Sequence, residues 1–151
     1  MNKKETYLRI IQQAKAIYDP ELGQATNLAQ VAALLKYELK IYWVGFYLRK
    51  NRELLLGPFQ GEIACTRIAW GKGVCGTAAA TGVTQIVDDV TQFPGYIACH
   101  PAPKSEIVVP GAKGGELLFV LDLDSTEVAF FDETDKLYLE ELVAYVAGKM
   151  C

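Results

Sequence analysis

The chain has 151 residues and a formal net charge of -3, from 15 Lys plus Arg against 18 Asp plus Glu. That length suits one domain with a core of its own, needing no disulfide or structural metal, and 51% hydrophobic with 22% charged residues excludes disorder as the main state. There is no basic footprint for nucleic acid, and no apolar run approaches the ~18 residues that cross a membrane.

The opening, Met1-Asn2-Lys3-Lys4-Glu5, is polar and resembles no secretory leader, so a cytoplasmic protein is expected. Tyr7, Leu8, Ile11, Ala14 and Tyr18 recur at helical spacing, and Pro20 ends that segment. Leu28, Val31, Leu34, Leu35 and Leu39 predict a second helix, with Asn27 or Thr26 as its N-cap. Ile41–Leu48 is rich in β-branched and aromatic residues, and with Glu53–Leu56 it reads as a hairpin. Further strands are expected near Ile63–Ala69, Thr84–Val87, Ser105–Val109 and Glu116–Asp124. Asp132 can cap a last helix that buries Leu139, Leu142, Val143, Val146 and Met150. Helices gathered at the chain ends around hairpin-linked strands predict an α+β fold with an antiparallel sheet. Pro94, Pro101, Pro103 and Pro110 fall within Val90–Pro110 and predict a long irregular loop, a common seat of function.

That loop carries Cys99; the other cysteines are Cys65, Cys75 and Cys151. In a reducing compartment cysteines serve as buried fillers, metal ligands or redox groups. With no C-x-x-C pair and His100 as the only histidine, zinc is disfavoured, and no metal or cofactor is expected. Cys75 lies in Gly73-Val74-Cys75-Gly76, where the glycines permit close approach and Lys72 would favour a thiolate. Two loop cysteines can act as attacking and resolving thiols. Asp122 and Asp124 lie on one face of a strand that follows a core-like run. Either the strand ends there and both face water, or they form a cation site or a pair with raised pKa. Glu106 adds a carboxylate to an apolar context. Trp43, Gly45 and Tyr47 share a strand face, so they are either plain core or an aromatic slot for a methyl group, thioether or cation.

These stretches resemble a known family. Trp43-Val44-Gly45-Phe46-Tyr47, Leu56-Gly57-Pro58-Phe59-Gln60-Gly61, Gly71-Lys72-Gly73-Val74-Cys75-Gly76, Phe93-Pro94-Gly95-Tyr96-Ile97-Ala98-Cys99, Ser105-Glu106-Ile107-Val108-Val109-Pro110 and Leu121-Asp122-Leu123-Asp124-Ser125 are similar to segments of the free methionine-(R)-sulfoxide reductases, which are stand-alone GAF domains. The resemblance implies a single GAF domain over residues 1–151 and reduction of the free R epimer of methionine sulfoxide. Cys99 matches the family's catalytic cysteine, and Cys75 or Cys65 its resolving thiol. Glu106, Asp122 and Asp124 match its acidic pocket, and Trp43 and Tyr47 its aromatic wall. A sulfenic acid on Cys99 would condense to a disulfide that a thioredoxin-type reductant clears. The resemblance also implies a homodimer in many members, while composition and run length imply no membrane or nucleic-acid partner.

Two departures stand out. The family usually carries Asp after the catalytic cysteine and His at the place of Tyr96; here His100 follows Cys99 and is expected to lower its thiol pKa. Relatives usually have a glycine within the stretch matching Glu116–Val120, a difference expected to touch packing alone. Cys151 has no family counterpart and is expected to be a bystander. The competing readings are a non-catalytic GAF sensor, which would not need the three matched cysteines, and a thiol peroxidase, which would not need the acidic pocket.

Overall fold

A computed structural model describes residues 2–150, and Cys151 lies outside the described residues. The first helix, α1 (Lys3–Ile17), is capped by Asn2, whose side chain accepts from the Glu5 N–H at 2.9 Å. It buries Tyr7, Ile10, Ile11 and Ala14. Leu8, assigned to that face from the sequence, is instead 49% exposed, because it stands a quarter turn away from the 7-11-14 stripe.

The second helix, α2 (Gln24–Leu39), starts earlier than predicted, with Gly23 as its N-cap at φ 85°. Neither Asn27 nor Thr26 caps it. Asn27 is buried and fastens the preceding turn: its Nδ2 donates to Asp19 O at 2.7 Å and Gly23 O at 3.0 Å, and its Oδ1 accepts from Asp19 N at 3.0 Å. A buried amide with both ends satisfied stabilises that turn more than it could stabilise an open helix end.

Six strands follow: β1 (Trp43–Lys50), β2 (Glu53–Gln60), β3 (Arg67–Ala69), β4 (Gln85–Val87), β5 (Ser105–Lys113) and β6 (Glu116–Ser125). They form one antiparallel sheet in the order β3-β2-β1-β6-β5-β4. The predicted strand at Ile63–Ala69 is reduced to β3, since residues 61–66 form the turn that carries Cys65. Pro110 lies inside β5, opposite Val120 of β6, while β4 reaches only as far as Val108. The proline therefore faces an unpaired stretch of edge and removes no ladder bond.

Alternation along the strands divides the molecule into two cores. Val44, Phe46, Ile107, Val109, Leu121 and Leu123 pack with α1, α2 and the last helix, α4 (Glu133–Lys149). Trp43, Tyr47, Val108 and Val120 point the other way, toward a short helix, α3 (Gly73–Thr81). Covering on both faces explains why β6 is apolar at both parities. Asp132 caps α4 as predicted, in a capping box with Asp135. Asp135 also accepts from Tyr7 Oη and Lys3 Nζ, each at 2.5 Å, tying α4 to α1.

The middle helix escaped the sequence reading. Its residues, Gly-Val-Cys-Gly-Thr-Ala-Ala-Ala-Thr, are small and apolar nearly all round, so no stripe marks a buried face. Small side chains suit it to close packing: a Cβ on Gly76 would stand 2.6 Å from Ala69 O.

Candidate active site

The site is built by register. Trp43 of β1 lies opposite Asp124 of β6, and Asp124 lies opposite Glu106 of β5. The next row sets Gly45 beside Asp122 and Asp122 beside Val108. Residues directly opposite share a face, so an aromatic wall and three carboxylates meet on the α3 side of the sheet. The start of α3 contributes Gly73, Val74 and Cys75 to the same cavity, and the loop between β4 and β5 contributes Tyr96, Ile97, Cys99 and His100. Of the eight residues singled out from sequence, seven line this cavity. The eighth, Cys65, is disulfide-bonded to Cys99, with Cα atoms 5.3 Å apart. Cys75 is a free, buried thiol.

The expected glycine slot is filled. A Cβ on Gly45 would stand 2.4 Å from the Trp43 ring and 2.6 Å from Phe59 Cβ. The glycine lets the Trp43 indole fold across the strand, where it stacks on Phe59 at 5.5 Å and on Tyr47 at 6.0 Å. Trp43 is held there by its Nε1–H, which donates to Glu62 O at 2.9 Å, and Tyr47 by its hydroxyl, which donates to Cys65 O at 2.9 Å. The wall is therefore rigid. Gly45→Ala is expected to lower stability by about 1–3 kcal/mol through overpacking, read as a lower midpoint in urea.

Glu106, Asp122 and Asp124 are 5%, 6% and 9% exposed, and no ion pair among the described residues involves them. The reading in which the two aspartates face water is thus overturned. Burial first, then the Asp122 and Asp124 charges, push the Glu106 carboxyl well above the usual range. Burial and then Asp122 do the same to Asp124. Burial also raises Asp122, but hydrogen bonds from Glu106 and from the Cys75 thiol oppose it. Every influence on Glu106 thus favours its protonated form, whereas on Asp122 two hydrogen bonds oppose the effect of burial. Asp122 Oδ1 is buried with no conventional hydrogen-bond partner.

The environment expected for Cys75 is also corrected. Lys72 is exposed and does not dominate it. Burial, followed by the Asp122, Glu106 and Asp124 charges, pushes the Cys75 thiol well up, so it remains protonated. Cys75, Glu106 and Asp122 each offer a donor atom within 4.8 Å of the others, the one group among the described residues with metal-ligand spacing.

Three residues near the cavity carry polar contacts that the sequence reading assigned to no site. Tyr96 faces the acid cluster, and its phenol is pushed up by burial and then by Glu106, Asp124 and Asp122. Tyr42 and Glu62 hold His100. Tyr42 Oη lies 2.8 Å from His100 Nδ1 and donates to Glu62 Oε2 at 2.8 Å, and His100 Nε2 pairs with Glu62. The imidazole is thus bonded to Tyr42 and Glu62 and makes no hydrogen bond to the Cys99 sulfur. No spacing rule marks these residues, because they meet from the start of β1, the β2–β3 turn and the long loop.

The GAF domain family matches residues 25–148. A GAF domain-containing protein from Dictyostelium discoideum is 48% identical over 143 residues, covering 94% of this chain and 90% of the relative. The free methionine-R-sulfoxide reductase of Escherichia coli is 45% identical over 145 residues, covering 95% and 88%. A crystal structure of the free methionine-R-sulfoxide reductase of Neisseria meningitidis with its substrate superposes with a TM-score of 0.95 at 44% identity, over 99% of this chain and 90% of that one. A match across nearly the whole length in sequence and in fold leaves one assignment: the chain belongs to the GAF-domain family of free methionine-R-sulfoxide reductases.

Proposed function

We propose that this enzyme reduces free L-methionine-R-sulfoxide to methionine with Cys99 as nucleophile and Cys65 as resolving thiol. The observation that carries this reading is a buried carboxylate cluster that no ion pair among the described residues engages, set beside the Cys65–Cys99 pair. The missing countercharge is the ammonium of a free amino acid, and Asp122 is the carboxylate most ready to meet it. A mid-chain residue of a protein has no such group. The uncapped start of α3 faces the same cavity and suits the substrate carboxylate. The Trp43 and Tyr47 rings suit the thioether end.

In the reaction the Cys99 thiolate attacks the sulfoxide sulfur as Glu106 gives its proton to the oxygen, which gains basicity as the S–S bond forms. The hydroxyl then passes from that sulfur to the Cys99 sulfur as the S–S bond breaks, its electron pair goes to the methionine sulfur, and methionine departs, leaving Cys99 as a sulfenic acid. The Cys65 thiol then attacks the sulfenic sulfur, water departs, and the disulfide closes. A dithiol of the thioredoxin type returns both cysteines to thiols by exchange. The cytoplasm, which keeps such dithiols reduced, is the compartment this cycle requires. Cys75, buried and protonated, keeps the acid cluster in place and takes no redox step.

A thioredoxin-coupled assay tests the reading with the free R epimer, the free S epimer and the N-acetylated R epimer. Turnover of the free R epimer alone is the expected result. Equal turnover of the N-acetyl compound would remove the ammonium from the argument, and inactivity of reduced protein on all three would favour a sensor.

A further inference from the structure

The Cys99 loop is tied down in an unusual way. From Ile97 to Pro103, every hydrogen bond or ion pair that the described residues make to the rest of the protein belongs to His100. Among the described residues the one other covalent or polar tether of this segment is the Cys65–Cys99 disulfide itself. Ile97 adds an apolar contact, packing over Gly73. The His100 tether ends on Glu62, three residues before Cys65, and on Tyr42. Glu62 is immobilised from two sides, by Tyr42 Oη on its carboxylate at 2.8 Å and by Trp43 Nε1 on its carbonyl at 2.9 Å. Partial burial and then the bond to Glu62 push the Tyr42 phenol up to about 12, so it stays a donor at neutral pH. One side of this clasp thus adjoins Cys99 and the other sits in the Cys65 turn.

We infer that His100, Tyr42 and Glu62 form a clasp that holds the Cys99 loop against the Cys65 turn when the disulfide is open, positioning the two thiols for closure. The inference rests on the proposed Cys65–Cys99 redox couple. During each cycle the covalent tether is broken, and Cys99 must find Cys65 again after it becomes a sulfenic acid. Disulfide closure requires the closed loop, so its equilibrium constant scales with the fraction of reduced enzyme already closed. The clasp raises that fraction without touching either sulfur. His100, Tyr42 and Glu62 are positioning residues in this scheme.

The test uses the full chain without substrate. Wild type, His100→Ala, His100→Gln and Tyr42→Phe are equilibrated in buffers of reduced and oxidised dithiothreitol, and the fraction of disulfide is read by alkylation and intact mass. His100→Ala is expected to lower the equilibrium constant for closure about tenfold, which is about 30 mV for a two-electron couple. Tyr42→Phe is expected to lower it less. His100→Gln keeps amide N–H donors for Glu62 and for the Tyr42 oxygen, whose own proton goes to Glu62, and is expected to restore most of the constant. A second readout is single-turnover oxidation by free methionine-R-sulfoxide with a dimedone-type trap, where His100→Ala should yield more trapped Cys99 sulfenic acid. Equal constants for wild type and His100→Ala, with equal trapping, would overturn the clasp and leave the proposed reaction standing. A wild type that forms no Cys65–Cys99 disulfide would overturn both. A His100→Gln variant as impaired as His100→Ala would show that the two hydrogen bonds are not what positions the loop.

Discussion

Cys99→Ser is expected to lower turnover of free methionine-R-sulfoxide by at least about 10³-fold, since the covalent intermediate has no other nucleophile within the cavity. Cys75 is the one other thiol lining it, and burial among three carboxyls keeps that thiol protonated. Cys65→Ser separates the two halves of the cycle. The first half needs only Cys99 and an acid, so reduced Cys65→Ser should release one methionine per chain and then stop with Cys99 as sulfenic acid. Cys75→Ala should pass that point and turn over repeatedly, because Cys65 remains to close the disulfide. Quantifying methionine per chain in a single-turnover experiment checks all three variants at once. A Cys75→Ala enzyme that stalls after one methionine would move the resolving role to Cys75.

Glu106→Gln is expected to move activity and stability in opposite directions. Glutamine keeps the shape but holds no transferable proton, so kcat should fall by about 10²–10⁴, with a smaller change in KM. Stability follows from the direction of the carboxyl's shift. Glu106 is raised well above its ordinary value in the folded protein, so the folded state holds the proton more tightly than the unfolded chain. Its contribution is fully present below the unfolded pKa and is lost as pH rises through the folded one. Glutamine cannot ionise, so the variant should melt above wild type at neutral and alkaline pH, by about 2–4 °C for each kcal/mol gained. The two curves should converge in acid. The same charge logic predicts that the substrate's ammonium stabilises wild type by supplying the missing counterion. Thermal melts across pH, with and without methionine, check both statements. A variant less stable than wild type at pH 8 would show that Glu106 is ionised and paired in the resting enzyme.

The larger elements were legible in the sequence because local chemistry marks them. Asp132 with Asp135 announces the start of α4, and the 139-142-143-146 stripe gives its buried face. The alternation of Val44 and Phe46 with Trp43 and Tyr47 marks β1 as a strand, although both faces are covered. Helix α3 carries no such mark, because its residues are small and mostly apolar, and even the exposed Ala80 offers no polar group to set a period. The cap of α2 was misplaced because Asn27 looks like a capping residue in sequence, while its side chain is used up on Asp19 and Gly23.

The candidate site divides in the same way. Residue identity along the chain was enough to single out Cys99, Glu106, Asp122, Asp124, Trp43 and Tyr47 and to reach the family, since motif and spacing are properties of the string. Whether two aspartates face water or a buried pocket is settled by which strand lies beside theirs, and that depends on pairings between residues far apart in the chain. The choice between Cys65 and Cys75 as partner of Cys99 depends on a 5.3 Å approach across 34 residues. The His100 clasp joins three segments whose proximity comes from the sheet and the long loop together. Local propensity and patterning are written residue by residue, whereas distances across a fold come from closing the whole chain around two cores.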